Sequence, residues 1–174
     1  MSDRSFVPLA IAVLTVSDSR TRETDTSGDL LQDRLVAAGH RIATRELVRD
    51  DVYAVRAVIS AWIVDPAIDV FITTGGTGLT GRDGTPEAVR PLFDKEIPGF
   101  GETFRAVSFD IIGTSTLQSR ALAGVANRTY GFVLPGSPSA CRDAWDHLIE
   151  KQLDNRTRPC NLVELMPRLD EHRS

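Results

Sequence analysis

No stretch of this 174-residue sequence is long and apolar enough to cross a bilayer. The start, Met1-Ser2-Asp3-Arg4-Ser5, lacks the apolar core and small-residue cleavage site of a secretory signal, so a cytoplasmic protein with no membrane partner is expected. Only two cysteines are present, Cys141 and Cys160, and they would be reduced there. They form no zinc pattern, which needs four close ligands. The three histidines, His40, His147 and His172, are scattered, and read as surface or helix residues rather than ligands. A formal net charge of -4 gives no basic footprint for nucleic acid. There is no internal repeat, low-complexity tract or linker, so positions 1–174 read as one domain with short polar tails at 1–5 and 161–174.

What is present is a glycine-rich stretch between a strand and a helix. Val70 to Ile72 is a short apolar run with β-favouring residues. It passes through Thr73-Thr74 into Gly75-Gly76-Thr77-Gly78, where the backbone turns freely and a ligand approaches without a Cβ in the way. Thr85 then reads as an N-cap and Pro86 as a first helical residue. Strand ends that lead into helix starts are where open α/β sheets bind ligands, and the N–H groups there suit phosphate. Gly76-x-Gly78-x-x-Gly81 formally fits the dinucleotide fingerprint, but the helix signals come only later and at least two strands precede it. No Gly-Lys-Ser/Thr follows to make a P-loop. Asp83 beside Arg82 is unusual for a phosphate loop, because an acid there needs a metal or a proton role.

Around this stretch the pattern is β-α-β-α-β. Leu9 to Val16 reads as a central strand, Gly28 to Ala38 as a helix stopped by Gly39, and Arg41 to Val48 as an outer strand. Asp50-Asp51 opens a helix with Val55, Val58, Ile59, Trp62 and Ile63 on its apolar face, ended by Pro66. Helices are expected over Thr85 to Phe93, from Gly101 to Phe109 after a break at Pro98-Gly99, and from Ser139 to Leu153. Helical spacing of Phe100, Phe104 and Phe109 favours inward packing, with a subunit contact as the alternative. The apolar runs Arg120 to Ala126 and Thr129 to Leu134 are joined by Asn127-Arg128, and so short a link forces an antiparallel pair. The fold class is therefore α/β: a mostly parallel sheet with one antiparallel strand near the C-terminal side, and right-handed crossovers.

Parallel first and third strands would put Ser17-Asp18-Ser19-Arg20, the glycine loop and Pro135-Gly136-Ser137 at one sheet edge, with Asp50 nearby. Carboxylates alone repel phosphate, whereas a hard dication bridges the two, so the inventory fits a nucleotide with Mg²⁺. For each acid a helix cap or turn role is the plainer alternative. Arg120 could equally make a structural ion pair.

Several motifs occur together: Thr73-Thr74-Gly75-Gly76-Thr77-Gly78, Asp83-x-x-Pro86-Glu87, Pro98-Gly99-Phe100-Gly101-Glu102, Leu117-Gln118-Ser119-Arg120-Ala121 and Leu134-Pro135-Gly136-Ser137. With them the chain resembles the MoaB/MogA proteins of molybdenum-cofactor biosynthesis, from about Leu9 to Cys160. The tail Asp154 to Cys160 places it nearer MoaB. The resemblance implies a three-layer α/β/α domain, assembled as a homotrimer or a dimer of trimers, that binds molybdopterin. It also implies transfer of an adenylyl group from ATP to molybdopterin with Mg²⁺, or else a non-catalytic molybdopterin-binding or scaffold protein. The family's key acids fall on Asp50 and Asp83, the expected catalytic and metal-binding pair. Arg49-Asp50-Asp51 replaces the Pro-Asp-Glu often seen in MogA. Substrate-binding positions implied or expected are Ser17, Asp18, Gly75, Gly76, Thr77, Gly78, Ser115, Ser119, Arg120, Pro135, Gly136 and Ser137. A dinucleotide-dependent oxidoreductase is the reading from another class, and it lacks a ribose-binding acid at the expected place.

Overall fold

The structure, a computed structural model, describes residues 4–171. The readings of Met1 to Asp3 and of His172 fall outside the described residues. Six strands form one sheet: β1 (Ala10–Val16), β2 (Arg41–Val48), β3 (Val70–Thr74), β4 (Lys95–Glu96), β5 (Leu122–Ala126) and β6 (Thr129–Leu134). Their order is β2-β1-β3-β6-β5-β4. β1 runs parallel to β2 and β3, and β3 parallel to β6. β5 alone runs antiparallel to both of its neighbours.

Successive side chains of a strand face opposite sides, so each strand feeds two cores. Ile11 and Val13 of β1 join one, against Leu31 and Leu35 of α1 (Thr26–Ala37) and Phe100 and Phe104 of α4 (Pro98–Ile112). Trp145 and Ile149, in a π-helical turn that follows α5 (Pro138–Ala144), complete it. Ala12, Leu14 and Val16 join the other core, against Val55, Ile59 and Trp62 of α2 (Val52–Val64) and Ala88 and Val89 of α3 (Thr85–Val89). The result is three layers, helix–sheet–helix. β1 reads as a near-continuous apolar run, interrupted only by Thr15, because both its faces are covered.

Two glycines shape the second core. Gly124 and Gly131 are paired across β5 and β6. A Cβ on Gly131 would lie 2.1 Å from the Phe71 ring, and one on Gly124 2.4 Å from Phe93. Those rings stack with centroids 6.2 Å apart, filling the space that the absent side chains leave.

Several boundaries differ from expectation. Gly84, not Thr85, is the N-cap of α3, and that helix ends at Val89 in a 3-10 turn, Arg90–Leu92. Pro98 and Gly99 do not break a helix; Pro98 starts α4, where a missing N–H costs nothing. Phe100 and Phe104 are buried as expected, but Phe109 is 56% exposed. β5 begins at Leu122, because Arg120 turns aside toward the glycine loop. The two-residue β4 has no signal in so short a run. His40 is buried instead of on the surface, and its Nδ1 accepts the Leu9 N–H at 3.1 Å. Asn161 and Val163 of the tail are buried too, and the Tyr130 hydroxyl donates to the Leu162 carbonyl.

Candidate functional site

β1 and β3 are neighbours, but their connections leave toward opposite faces of the sheet. α1 packs on one side and the helix after the β3 loop, α3, on the other. A crevice forms at such a switch point, outside the carboxyl ends of the strands. Here it is a cleft of about 300 Å³ lined by Ser17 and Asp18 after β1, Asp50 after β2, Gly75, Gly76 and Asp83 after β3, and Gly136 after β6. Four connections far apart in the chain thus meet, as the parallel strands required.

The glycine loop is bent by need. Gly75 has φ +99° and Gly76 φ +66°, the left-handed region that favours glycine. A Cβ on Gly75 would come within 2.1 Å of the Val16 carbonyl oxygen; one on Gly76 would lie 2.2 Å from Thr85 Oγ1 and 2.8 Å from Asp50 Oδ2. Gly136 packs against Gly75 from the β6 side. Ser27 donates its hydroxyl to the Gly136 carbonyl at 2.7 Å, and Thr74 donates to the Pro135 carbonyl at 2.9 Å. Ser137 caps α5 through its hydroxyl, which accepts the Ala140 N–H.

The acids differ in their surroundings. Asp50 is not the cap of α2; Asp51 is, with its side chain accepting the Ala54 N–H. Asp50 reaches instead across to the loop, where Oδ1 accepts the Gly84 N–H at 3.1 Å. Burial pushes its carboxyl above the ordinary value; the Gly84 N–H opposes this, and the charges of Asp83 and Asp18 add to the rise. Asp83 is held below its ordinary value, first by the Thr80 hydroxyl, which donates to Oδ2 at 2.6 Å. Asp18 makes a two-oxygen pair with Arg82, with contacts of 2.7–2.9 Å, and that guanidinium lowers its carboxyl. Arg20 turns to the Thr24 carbonyl, 3.0 Å away.

Asp25 is the site residue that sequence reasoning missed. It is 1% exposed on the cleft wall, accepting Thr15 Oγ1 at 2.7 Å, the Gly28 N–H at 3.0 Å and the Arg45 guanidinium at 2.8 Å. The run Asp25-Thr26-Ser27-Gly28 carried an N-cap signal for α1 that could have found it.

The remaining expected residues lie elsewhere. Arg120 donates to the Thr77 and Gly78 carbonyls and pairs with Glu87. With Ser119 it lines a second cleft of about 310 Å³, beside Arg90, Glu102 and Arg105. Ser115 is exposed, in the 3-10 segment Gly113–Gln118, and lines neither cleft.

A crevice at a β1/β3 switch point, floored by a double glycine and edged by acids, defines an α/β domain with a candidate ligand cleft. Residues 12–155 match the family profile described as "Probable molybdopterin binding domain", and the chain belongs to that family. Its relatives narrow this to the MoaB/MogA group. The chain is 56% identical to molybdenum cofactor biosynthesis protein B of Escherichia coli (strain K12) over 156 residues, 90% of this chain and 92% of that one. It is similar to a solved molybdenum cofactor biosynthesis protein B, with TM-score 0.86, 40% identity, and 98% and 100% of the two chains covered. It is also similar to the tungsten cofactor synthesizing protein MoaB from Pyrococcus furiosus, with TM-score 0.74, 35% identity, and 83% and 92% covered.

Proposed function

We propose that this protein works in molybdenum cofactor biosynthesis, binding molybdopterin and transferring an adenylyl group to it from ATP. The observation that carries the reading is the placement of Asp50 and Asp83 in one cleft with the glycine loop. A protein that only held an anion would gain nothing from two carboxylates at the anion's door, since they repel it.

Both substrates are anionic, so the task is alignment and charge neutralisation more than making a nucleophile. An oxygen of molybdopterin's terminal phosphate attacks the α-phosphorus of ATP, a new P–O bond forms, the α–β bridge breaks and pyrophosphate leaves. Ser17, Gly75, Gly76 and Gly136 line the cleft and would form the cradle for phosphate, with Thr77, Gly78, Pro135 and Ser137 in the adjoining loops, and Ser119 faces the second cleft. Asp18 is paired with Arg82 and shapes the mouth instead of facing the ligand.

Magnesium fits the donor set. The charge of Asp83 adds to the cost of ionising Asp50, and Mg²⁺ needs only one or two carboxylates when phosphates and water supply the rest. Asp83, with Asp50, would hold it, and when bound it would neutralise the triphosphate.

The exposed apolar residues Phe109, Ile111, Ile112 and Leu117 offer a face for the proposed homotrimer or dimer of trimers. The test of function is direct: purified protein with Mg²⁺, ATP and molybdopterin should yield adenylylated molybdopterin and pyrophosphate. Asp83→Asn should lose turnover far more than it weakens molybdopterin binding. Binding without any product would leave the non-catalytic alternative standing.

A further inference from the structure

We infer that Arg120 is a positioning residue for the glycine loop, acting on Asp83 through the Thr77–Gly78 peptide, and is not a ligand of molybdopterin. The inference rests on the adenylyl-transfer reading of the cleft. Arg120 Nε donates to the Thr77 carbonyl at 3.1 Å and the Gly78 carbonyl at 3.0 Å, and Nη2 donates to the Gly78 carbonyl at 2.7 Å. Nη1 pairs with Glu87 on α3. The Nε–Nη2 edge of the fork is thus held by the loop and Nη1 by Glu87, and its side chain is 27% exposed. To present that edge to a phosphate in a two-point grip it would have to let go of the loop.

The consequence runs through one peptide unit. A trans peptide is planar, with its C=O and N–H on opposite sides. Drawing the Thr77 carbonyl toward Arg120 therefore turns the Gly78 N–H the other way. That N–H faces the Asp83 carboxylate and, after the Thr80 hydroxyl, helps hold it below its ordinary value. Gly78 must lack a side chain for this approach, because a Cβ there would lie 2.6 Å from Asp83 Oδ2. Nη2 also reaches the Asp83 carbonyl at 3.5 Å, so the guanidinium holds the backbone at Gly78 and at Asp83 itself and thereby sets where the acid points. Lysine offers one ammonium without the planar fork and would replace only part of this grip.

The test compares wild type with Arg120→Gln and Arg120→Lys, reading amide exchange over residues 77–84, molybdopterin affinity and pyrophosphate release. The Gln variant should exchange faster in that loop alone and lose about 100-fold in kcat, as a misplaced catalytic group does. Its molybdopterin affinity should stay within about twofold, and the Lys variant should fall between. A general loss of structure would speed exchange across the sheet as well, and the milder Lys variant then carries the comparison. An affinity loss of about tenfold or more with unchanged loop exchange would make Arg120 a ligand and overturn the inference. Wild type without turnover would sink the adenylyl-transfer reading instead, while exchange and affinity still decide the role of Arg120.

Discussion

Asp50 and Gly84 are 34 positions apart, yet the carboxylate of one accepts the backbone N–H of the other at 3.1 Å. This bond fastens the β2 loop to the start of α3. It also fixes which oxygen is left over: Oδ1 is engaged, and Oδ2 lies beside Gly76.

Asp50→Asn keeps an acceptor for Gly84 and removes the charge. Pyrophosphate release should fall roughly 100-fold to 1,000-fold, the scale seen when a preorganised electrostatic group is lost. Stability should not fall with it. A carboxyl whose folded value is raised takes up protons more readily when folded, so its charge disfavours the fold above that value. The melting temperature at neutral pH should hold or rise, and a clear drop would show that Asp50 is structural.

Gly76→Ala should destabilise by about 1–3 kcal/mol, since it combines a left-handed backbone with a contact on Thr85. Gly81→Ala, where an added Cβ meets nothing within 4 Å, should change the urea midpoint by no more than about 0.5 kcal/mol equivalent. Equal effects at the two positions would deny the loop its special geometry.

Asp25→Asn removes the buried one of two carboxylates on the Arg45 guanidinium and leaves only the exposed Asp29, a loss of a charged hydrogen bond that should cost about 1.5–3 kcal/mol. The pH dependence follows from sign. Burial alone would raise the Asp25 carboxyl, but Arg45, Thr15 and the Gly28 N–H outweigh it and hold the group below its ordinary 3.8. Its stabilisation is therefore full above that value and is lost as pH falls through it toward the folded value. Urea titrations from pH 6 to pH 3 should show a shallower loss in Asp25→Asn than in wild type.

His40 gives the opposite residue type and the same acid sensitivity. Burial holds it below its ordinary 6.5, partly offset by Asp154, and its Nδ1 must stay unprotonated to accept from Leu9. Stability should begin to fall as pH drops below 6.5 and level off below the folded value. Two-dimensional spectra should show the Leu9 amide shifting with the His40 titration; a Leu9 amide indifferent to pH across that range would refute the link.

The strands that build the cleft were legible because burial on both faces leaves near-continuous apolar runs, as in β1 and β3. The joining of Ser17, Asp50, Gly75, Asp83 and Gly136 followed from strand direction alone. What escaped was pairing at a distance. Asp25 finds Arg45 across the α1–β2 connection, and nothing in the local pattern says that a polar stretch will turn inward. His40 is hidden for the same reason, as its environment comes from Phe6 and Trp145. Phe109 shows the reverse failure, since helical spacing does not tell how far along α4 the core extends.

The strand order 2-1-3 makes the crevice a result of winding. Two neighbouring ribbons send their outgoing chains to opposite sides, and a gap opens between them whatever residues follow. Changes at Ser17 would then alter the cargo and leave the container intact, whereas Gly136 and Ser137 also hold the frame, against Gly75 and as the cap of α5. The edge of this sheet is thus a natural place to retrain the protein for a different phosphorylated guest by laboratory selection.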